Sequence, residues 1–147
     1  MLFRSLDNGT SLCRLGFPFN DVTPTYDGTS FAIPPQAFPM PFFPNDGILT
    51  RFVIVSQSSV GYDVGFLETS SPGLRGQSGG PIFDREGTVW SIQSQTRHLP
   101  LGFSPPVPNG KKNEVEHQFL NVGWGTHPAT IAGLLSECGI SYELSNY

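Results

Sequence analysis

A serine hydroxyl set among glycines is the most reactive constellation in this 147-residue chain: Gly76-Gln77-Ser78-Gly79-Gly80-Pro81. At its free pKa a serine is a poor nucleophile. Acyl transfer at Ser78 therefore needs a general base on the hydroxyl and donors for the oxyanion. The glycines suit the second requirement. Gly76 lets the main chain curl so that its N–H and that of Ser78 can point into one small cavity, which makes these two amides the candidate oxyanion hole. Gly79 and Gly80 leave space where a substrate carbonyl would approach. A plain tight turn between strands would use the same residue types, so the reading depends on what flanks the motif.

The flanks read as strands. Gly and Pro, 17 and 14 residues, punctuate short apolar runs, the pattern of an all-β domain with many turns. Strands are expected at Ser11–Gly16, Ile48–Gln57, Gly65–Thr69, Pro81–Asp84, Thr88–Thr96 and Phe119–Trp124, and six at this spacing suit a small antiparallel barrel. Asp84-Arg85-Glu86-Gly87 reads as a hairpin turn. Residues 19–46 form a Pro- and Phe-rich insertion. Its aromatics argue for an ordered excursion packed on the barrel, with a substrate- or partner-binding surface as the functional alternative. Leu99 to Glu116 reads as a surface loop. Pro128 at a first turn, Ile131, Leu134 and Leu135 at helical spacing and Gly139 beyond predict one helix within 126–139.

With its preceding strand and following hairpin, Leu74-Arg75-Gly76-Gln77-Ser78-Gly79-Gly80-Pro81-Ile82-Phe83 resembles the nucleophile segment of trypsin-like serine peptidases. Leu15-Gly16-Phe17-Pro18, Gly47-Ile48-Leu49 and Phe66-Leu67-Glu68-Thr69 resemble strands of the second barrel in bacterial members. The likeness covers most of residues 11–96 and leaves the 19–46 insertion and the end of the chain unexplained. It implies a chymotrypsin-type fold: residues 1–147 as a single domain, one six-stranded antiparallel barrel forming the C-terminal half of the double barrel, followed by a helix. It also implies that Ser78 is the nucleophile, that Gly76 and Ser78 supply the oxyanion N–H groups, and that Pro72 and Gly73 lie near the base of the primary specificity pocket. Gln93, Ser94 and Gln95 would line one wall, the substrate being an extended protein or peptide.

Two departures limit what the resemblance implies. Gln77 stands where many animal members carry an aspartate that pairs with a newly cleaved amine, and a neutral amide cannot make that pair. Ser71, Pro72 and Gly73 bring no carboxylate to the pocket base, so a basic substrate residue is disfavoured and a small or apolar one expected. The larger departure is the base. In the family, His and Asp precede Ser on the preceding barrel, whereas His98, His117 and His127 all follow Ser78. Three readings stay open: a C-terminal part of a longer peptidase whose missing N-terminal barrel carries His and Asp, a catalytically dead protein- or peptide-binding module, or an unusual site using a downstream residue such as His98. The first predicts a chain nearly inactive alone. An α/β-hydrolase nucleophile elbow would also fit the glycines, but it requires a helix directly after the serine, where Gly79-Gly80-Pro81-Ile82-Phe83 forbids one.

Composition excludes other classes. The net charge is −4 and Lys and Arg are scattered, so no basic stripe exists for nucleic acid. No run of about 18 apolar residues suggests a membrane span. No spacing of His, Cys and carboxylates forms a metal-ligand set, and no cofactor is implied. Trp90 and Trp124 read as core aromatics. Cys13 and Cys138 are expected as free, buried thiols. Met1 to Leu6 lacks the pattern of a secretory signal, so the expectation is a cytoplasmic protein, or one whose true start lies upstream.

Overall fold

In the computed structural model, which describes residues 6–18, 22–108, 111 and 114–143, the elements in chain order are β1 (Ser11–Arg14), β2 (Thr25–Tyr26), β3 (Phe31–Ala32), β4 (Asn45–Gln57), β5 (Asp63–Thr69), β6 (Pro81–Phe83), β7 (Val89–Pro100), β8 (Phe119–Thr126) and α1 (Pro128–Glu137). Six of the strands close an antiparallel barrel in the order β1-β4-β5-β8-β7-β6. Closure depends on the four residues of β1. They pair with β4 on one side, Ser11 opposite Ile48, and with β6 on the other, Arg14 opposite Ile82. A closed barrel leaves no open edge for another chain to extend.

Strand alternation sorts the interior. Leu12, Leu49, Leu67 and Ile82 are at most 2% exposed and form the apolar core, with Leu6 and Trp90 packed against it. The next inward positions along three strands are polar: Arg14 after Leu12, Thr69 after Leu67, and Gln93 after Ser91, all buried. The barrel interior is therefore apolar at one level and polar at the level of the segment Ser71–Gly73. On the outer face of the same wall, Glu68 accepts from Arg51 Nε and Nη2 (2.9 and 3.0 Å), Thr50 Oγ1 (2.8 Å) and Trp124 Nε1 (2.9 Å). Phe66 stacks on Trp124.

The six wall strands lie where the residue pattern puts them, with shifted ends. β4 starts at Asn45, before Ile48, because Asn45 to Gly47 pair with Arg14 to Leu12 of β1 despite their polar character. β7 runs on to Pro100, past Thr96, because Arg97–Pro100 pair with Phe119–Val122 in an exposed two-stranded ribbon. That ribbon replaces the start of the expected Leu99–Glu116 loop. The hairpin at Asp84–Gly87 is present, with Gly87 at φ 83°. The Asp84 carboxylate fastens it by accepting the N–H groups of Glu86 and Thr88 and Trp90 Nε1.

Within the 19–46 insertion, β2 and β3 form a two-residue ladder, and Pro35–Ala37 make one 3-10 turn. Tyr26, Phe31, Phe38 and Phe42 remain exposed. The insertion rests on the barrel at its end: Phe43 N–H donates to Gly16 O, and the Phe42 ring lies 4.8 Å from that of Phe17.

The helix α1 begins at the N-cap His127, whose Nδ1 accepts the Ala129 N–H, with Pro128 at the first position. It ends at Cys138 before Gly139 (φ 68°). Ala132 is its buried residue, and Gly133 sits so close to the Tyr62 ring that a Cβ there would lie 2.5 Å from it. Small residues thus make the contact, and Leu134 is exposed. Both cysteines are free, as expected, but not both buried: Cys13 is half-buried, while Cys138 caps the helix on the surface.

Candidate active site

Ser78 is exposed on the turn between β5 and β6. The turn is held from below by its neighbour. Gln77 is fully buried, its Oε1 accepting the Leu74 N–H (2.9 Å) and its Nε2 donating to the carbonyl of Phe43 (3.2 Å). The main chain adds Gln77 N–H to Leu74 O and Gly80 N–H to Gln77 O. Gly79 N–H donates to Gln93 O and Gln93 N–H to Gly80 O, which docks the turn against β7.

Two glycines are required by this geometry. Gly76 has φ 95°, and a Cβ there would lie 2.6 Å from Phe17 O. Gly80 faces Leu15 O so closely that no side chain fits. Gly79, at φ 86°, opens onto free space, as an approach path for substrate would need.

The N–H groups of Leu74, Gln77, Gly79 and Gly80 are thus all engaged. Those of Arg75, Gly76 and Ser78 meet no acceptor among the described residues, and the Ser78 hydroxyl likewise has no partner there. Unspent amides beside an exposed hydroxyl are what oxyanion stabilisation requires.

The expected pocket residues come together. Gly73 packs directly on the side chain of Gln93, and Thr96 Oγ1 donates to Gly73 O (2.5 Å). Ser94 is the extra residue of a bulge in β7, where the register shifts between Gln93 and Gln95. Bulges re-aim strand residues and recur beside active sites.

Beneath Pro72 lies a group that sequence reasoning passed over. Arg14, 1% exposed, donates from Nη1 to Pro72 O (2.9 Å) and from Nη2 to Thr69 Oγ1 (2.5 Å) and Ser71 O (3.5 Å). No carboxylate pairs with it among the described residues. Burial draws its pKa down to about 10, so it stays cationic at neutral pH. The signal was available: Leu12 and Arg14 are two apart on one strand and must share the inward face.

No histidine joins Ser78. His98 bonds Asn121 on the exposed ribbon, five residues beyond Gln93, roughly 17 Å along an extended strand. His117 pairs with Ser104 Oγ, and His127 caps α1 beside Phe52. β6 follows the serine and the sheet is antiparallel, so the hydrolase-elbow alternative fails. No group of three or more potential metal ligands exists among the described residues. No protein-family model matches the chain, and no curated protein matches it.

Proposed function

We propose that this chain is the nucleophile-bearing barrel of a chymotrypsin-type serine endopeptidase. The observation that carries the reading is the exposed Ser78 hydroxyl flanked by the unspent N–H groups of Gly76 and Ser78. Ser78 Oγ attacks the carbonyl carbon of a peptide bond while a general base takes its proton. The two amides bind the oxyanion of the tetrahedral intermediate, which collapses to an ester as the amine leaves with a proton. Water then cleaves the ester by the same route and restores the hydroxyl. An extended substrate lies along Gln93-Ser94-Gln95, beside the bulge at Ser94. His and Asp come from a barrel that precedes this one, because His98, His117 and His127 are all engaged elsewhere.

The absence of a base on Ser78 among the described residues favours a second reading, a peptidase-like module that binds peptides without cleaving them. The gene product with any upstream sequence included separates the two. The enzyme reading expects labelling by a fluorophosphonate and casein hydrolysis, both lost in Ser78→Ala. Peptide binding that survives Ser78→Ala with no labelling or turnover would select the binding module, and activity untouched by Ser78→Ala would sink the site altogether.

A further inference from the structure

We infer that the exposed aromatic pair Phe17 and Phe42 is the subsite for the leaving side of the substrate and selects an apolar or aromatic residue just after the cleaved bond. The inference rests on the peptidase reading of Ser78 and adds a specificity-determining surface to it.

The first observation is where the pair stands. Beyond β1 the chain runs along the Ser78 turn, with Leu15 O against Gly80 and Phe17 O against Gly76. Phe17 N–H donates to Gly76 O (3.0 Å), and a Cβ on Gly16 would lie 2.6 Å from the Cα of Gln77. Phe43 brings its neighbour Phe42 to the same place: its N–H donates to Gly16 O (3.0 Å) and its carbonyl accepts Gln77 Nε2 (3.2 Å). The rings of Phe17 and Phe42 then lie 4.8 Å apart, tilted by 32°. The other flank of the turn is β7, bonded through Gln93 to Gly79 and Gly80. Ser78 is therefore held between β7 and the segment that carries the aromatic pair.

The second is what acylation demands of the space around the serine. Attack by Ser78 Oγ divides the substrate into an acyl part that stays and an amine part that leaves. With the acyl part along Gln93-Ser94-Gln95, the amine part continues off β7 and across the turn toward its Gly76 side. Gly79 keeps that crossing open, since a Cβ added there would meet nothing within 4 Å.

The third is the chemistry of the surface so reached. Phe17 is 39% and Phe42 66% exposed, so both rings can be touched from solvent. Residues 15–18 and 38–44 carry no charged side chain. An apolar residue laid across the rings removes apolar area of both partners from water. A charged one would lose hydration there and gain no partner from these two segments. Arg75, exposed at the start of the turn, is the nearest charge in sequence, and a preference set by it would be for acidic residues instead.

The experiment uses the gene product with any upstream sequence included. Casein digestion locates a cleaved bond, and synthetic peptides spanning it are made to differ only in the residue that follows it: Phe, Leu, Gly, Glu or Lys. The kcat/KM for Phe and Leu should exceed that for Gly and Glu by at least about tenfold. Phe42→Ala should lower the Phe and Leu peptides selectively, whereas general damage to the fold would lower all five alike. Phe42→Glu should make Lys the preferred residue. If neither variant folds, the ratio in the unaltered protein still decides. Equal rates for the five peptides, a preference for Glu, or a preference unchanged in Phe42→Ala overturns the inference, as does labelling of Ser78 without any cleavage. In each of these cases the labelled serine stands and only the aromatic subsite fails. No labelling together with no cleavage removes both readings.

Discussion

Gln77 joins the Ser78 turn to the end of the aromatic insertion, its Nε2 donating to the main-chain carbonyl of Phe43 at 3.2 Å while its Oε1 holds Leu74 N–H at 2.9 Å. The position that precedes the serine is therefore a brace. It fixes the curve that leaves the flanking amides free, and it makes the insertion part of the support of the site.

Removing that brace should be costly. Gln77→Ala removes the acceptor of the Leu74 N–H and the donor to Phe43 O, and opens a cavity at a fully buried position. The expected loss is about 2–4 kcal/mol, read as a lower urea midpoint. Gln77→Glu keeps the acceptor for Leu74 but sets a carboxylate against Phe43 O, so this variant should be more stable at pH 5 than at pH 8. An unchanged midpoint in Gln77→Ala would mean that the turn is held by its glycines alone.

Gly76 and Gly79 give a matched pair. Both have positive φ, 95° and 86°, but only Gly76 has an obstacle, Phe17 O at 2.6 Å from an added Cβ. Gly79→Ala should cost only the left-handed backbone strain, about 1–2 kcal/mol. Gly76→Ala should cost more, and on the proposed peptidase reading it would displace an oxyanion donor and lower the hydrolysis rate by about 10²–10³. Equal effects of the two on stability and rate would argue against a special role for the Gly76 amide.

How far the sequence led is clearest from particular residues. The wall strands were legible because Phe52-Val53-Ile54-Val55 and Val89-Trp90-Ser91-Ile92 carry β-branched and aromatic residues between turn formers. The helix was legible from Pro128 and Gly139, which mark its ends by local backbone preference. The ends of β4 and β7 were not. Asn45–Gly47 and Arg97–Pro100 become strand through partners distant in sequence, which local propensity does not encode. In the candidate site, the Ser78 turn was legible from its glycines, whereas Arg14 lay unnoticed on a four-residue strand whose neighbours gave it no motif.

Acid should weaken the outer wall. Burial pushes the Glu68 carboxyl pKa up, but hydrogen bonds from Arg51, Trp124 and Thr50 outweigh it and hold the group below its ordinary value of 4.5. Between the two values the unfolded chain binds more protons than the folded one. The stability that Glu68 contributes is therefore complete above about pH 4.5 and is lost as pH falls through the folded value. Asp84 acts in the same sense: burial raises it, and Trp90 and the hairpin amides more than offset that. Glu68→Gln should lower the urea midpoint at pH 7 and flatten its decline below pH 4.5. A decline as steep as in the unaltered protein would place the acid sensitivity elsewhere.

The His127 cap should fail at milder acidity. Its Nδ1 accepts the Ala129 N–H, a role open only to the neutral ring, and burial lowers its pKa below the ordinary 6.5. As pH falls past 6.5 the unfolded chain takes up a proton that the folded one resists, so stability present above 6.5 declines as pH drops toward the folded value. Protonation there would also turn the accepting nitrogen into a donor facing another donor. His127→Asn keeps a side-chain acceptor suited to an N-cap and removes the titration. Its midpoint should be flat from pH 7.5 to 5.5, where the unaltered protein's falls. His127→Ala should also be flat but lower throughout, by about 1 kcal/mol for the lost cap. If His127→Asn declined as the unaltered protein does, the cap would not be the group that titrates.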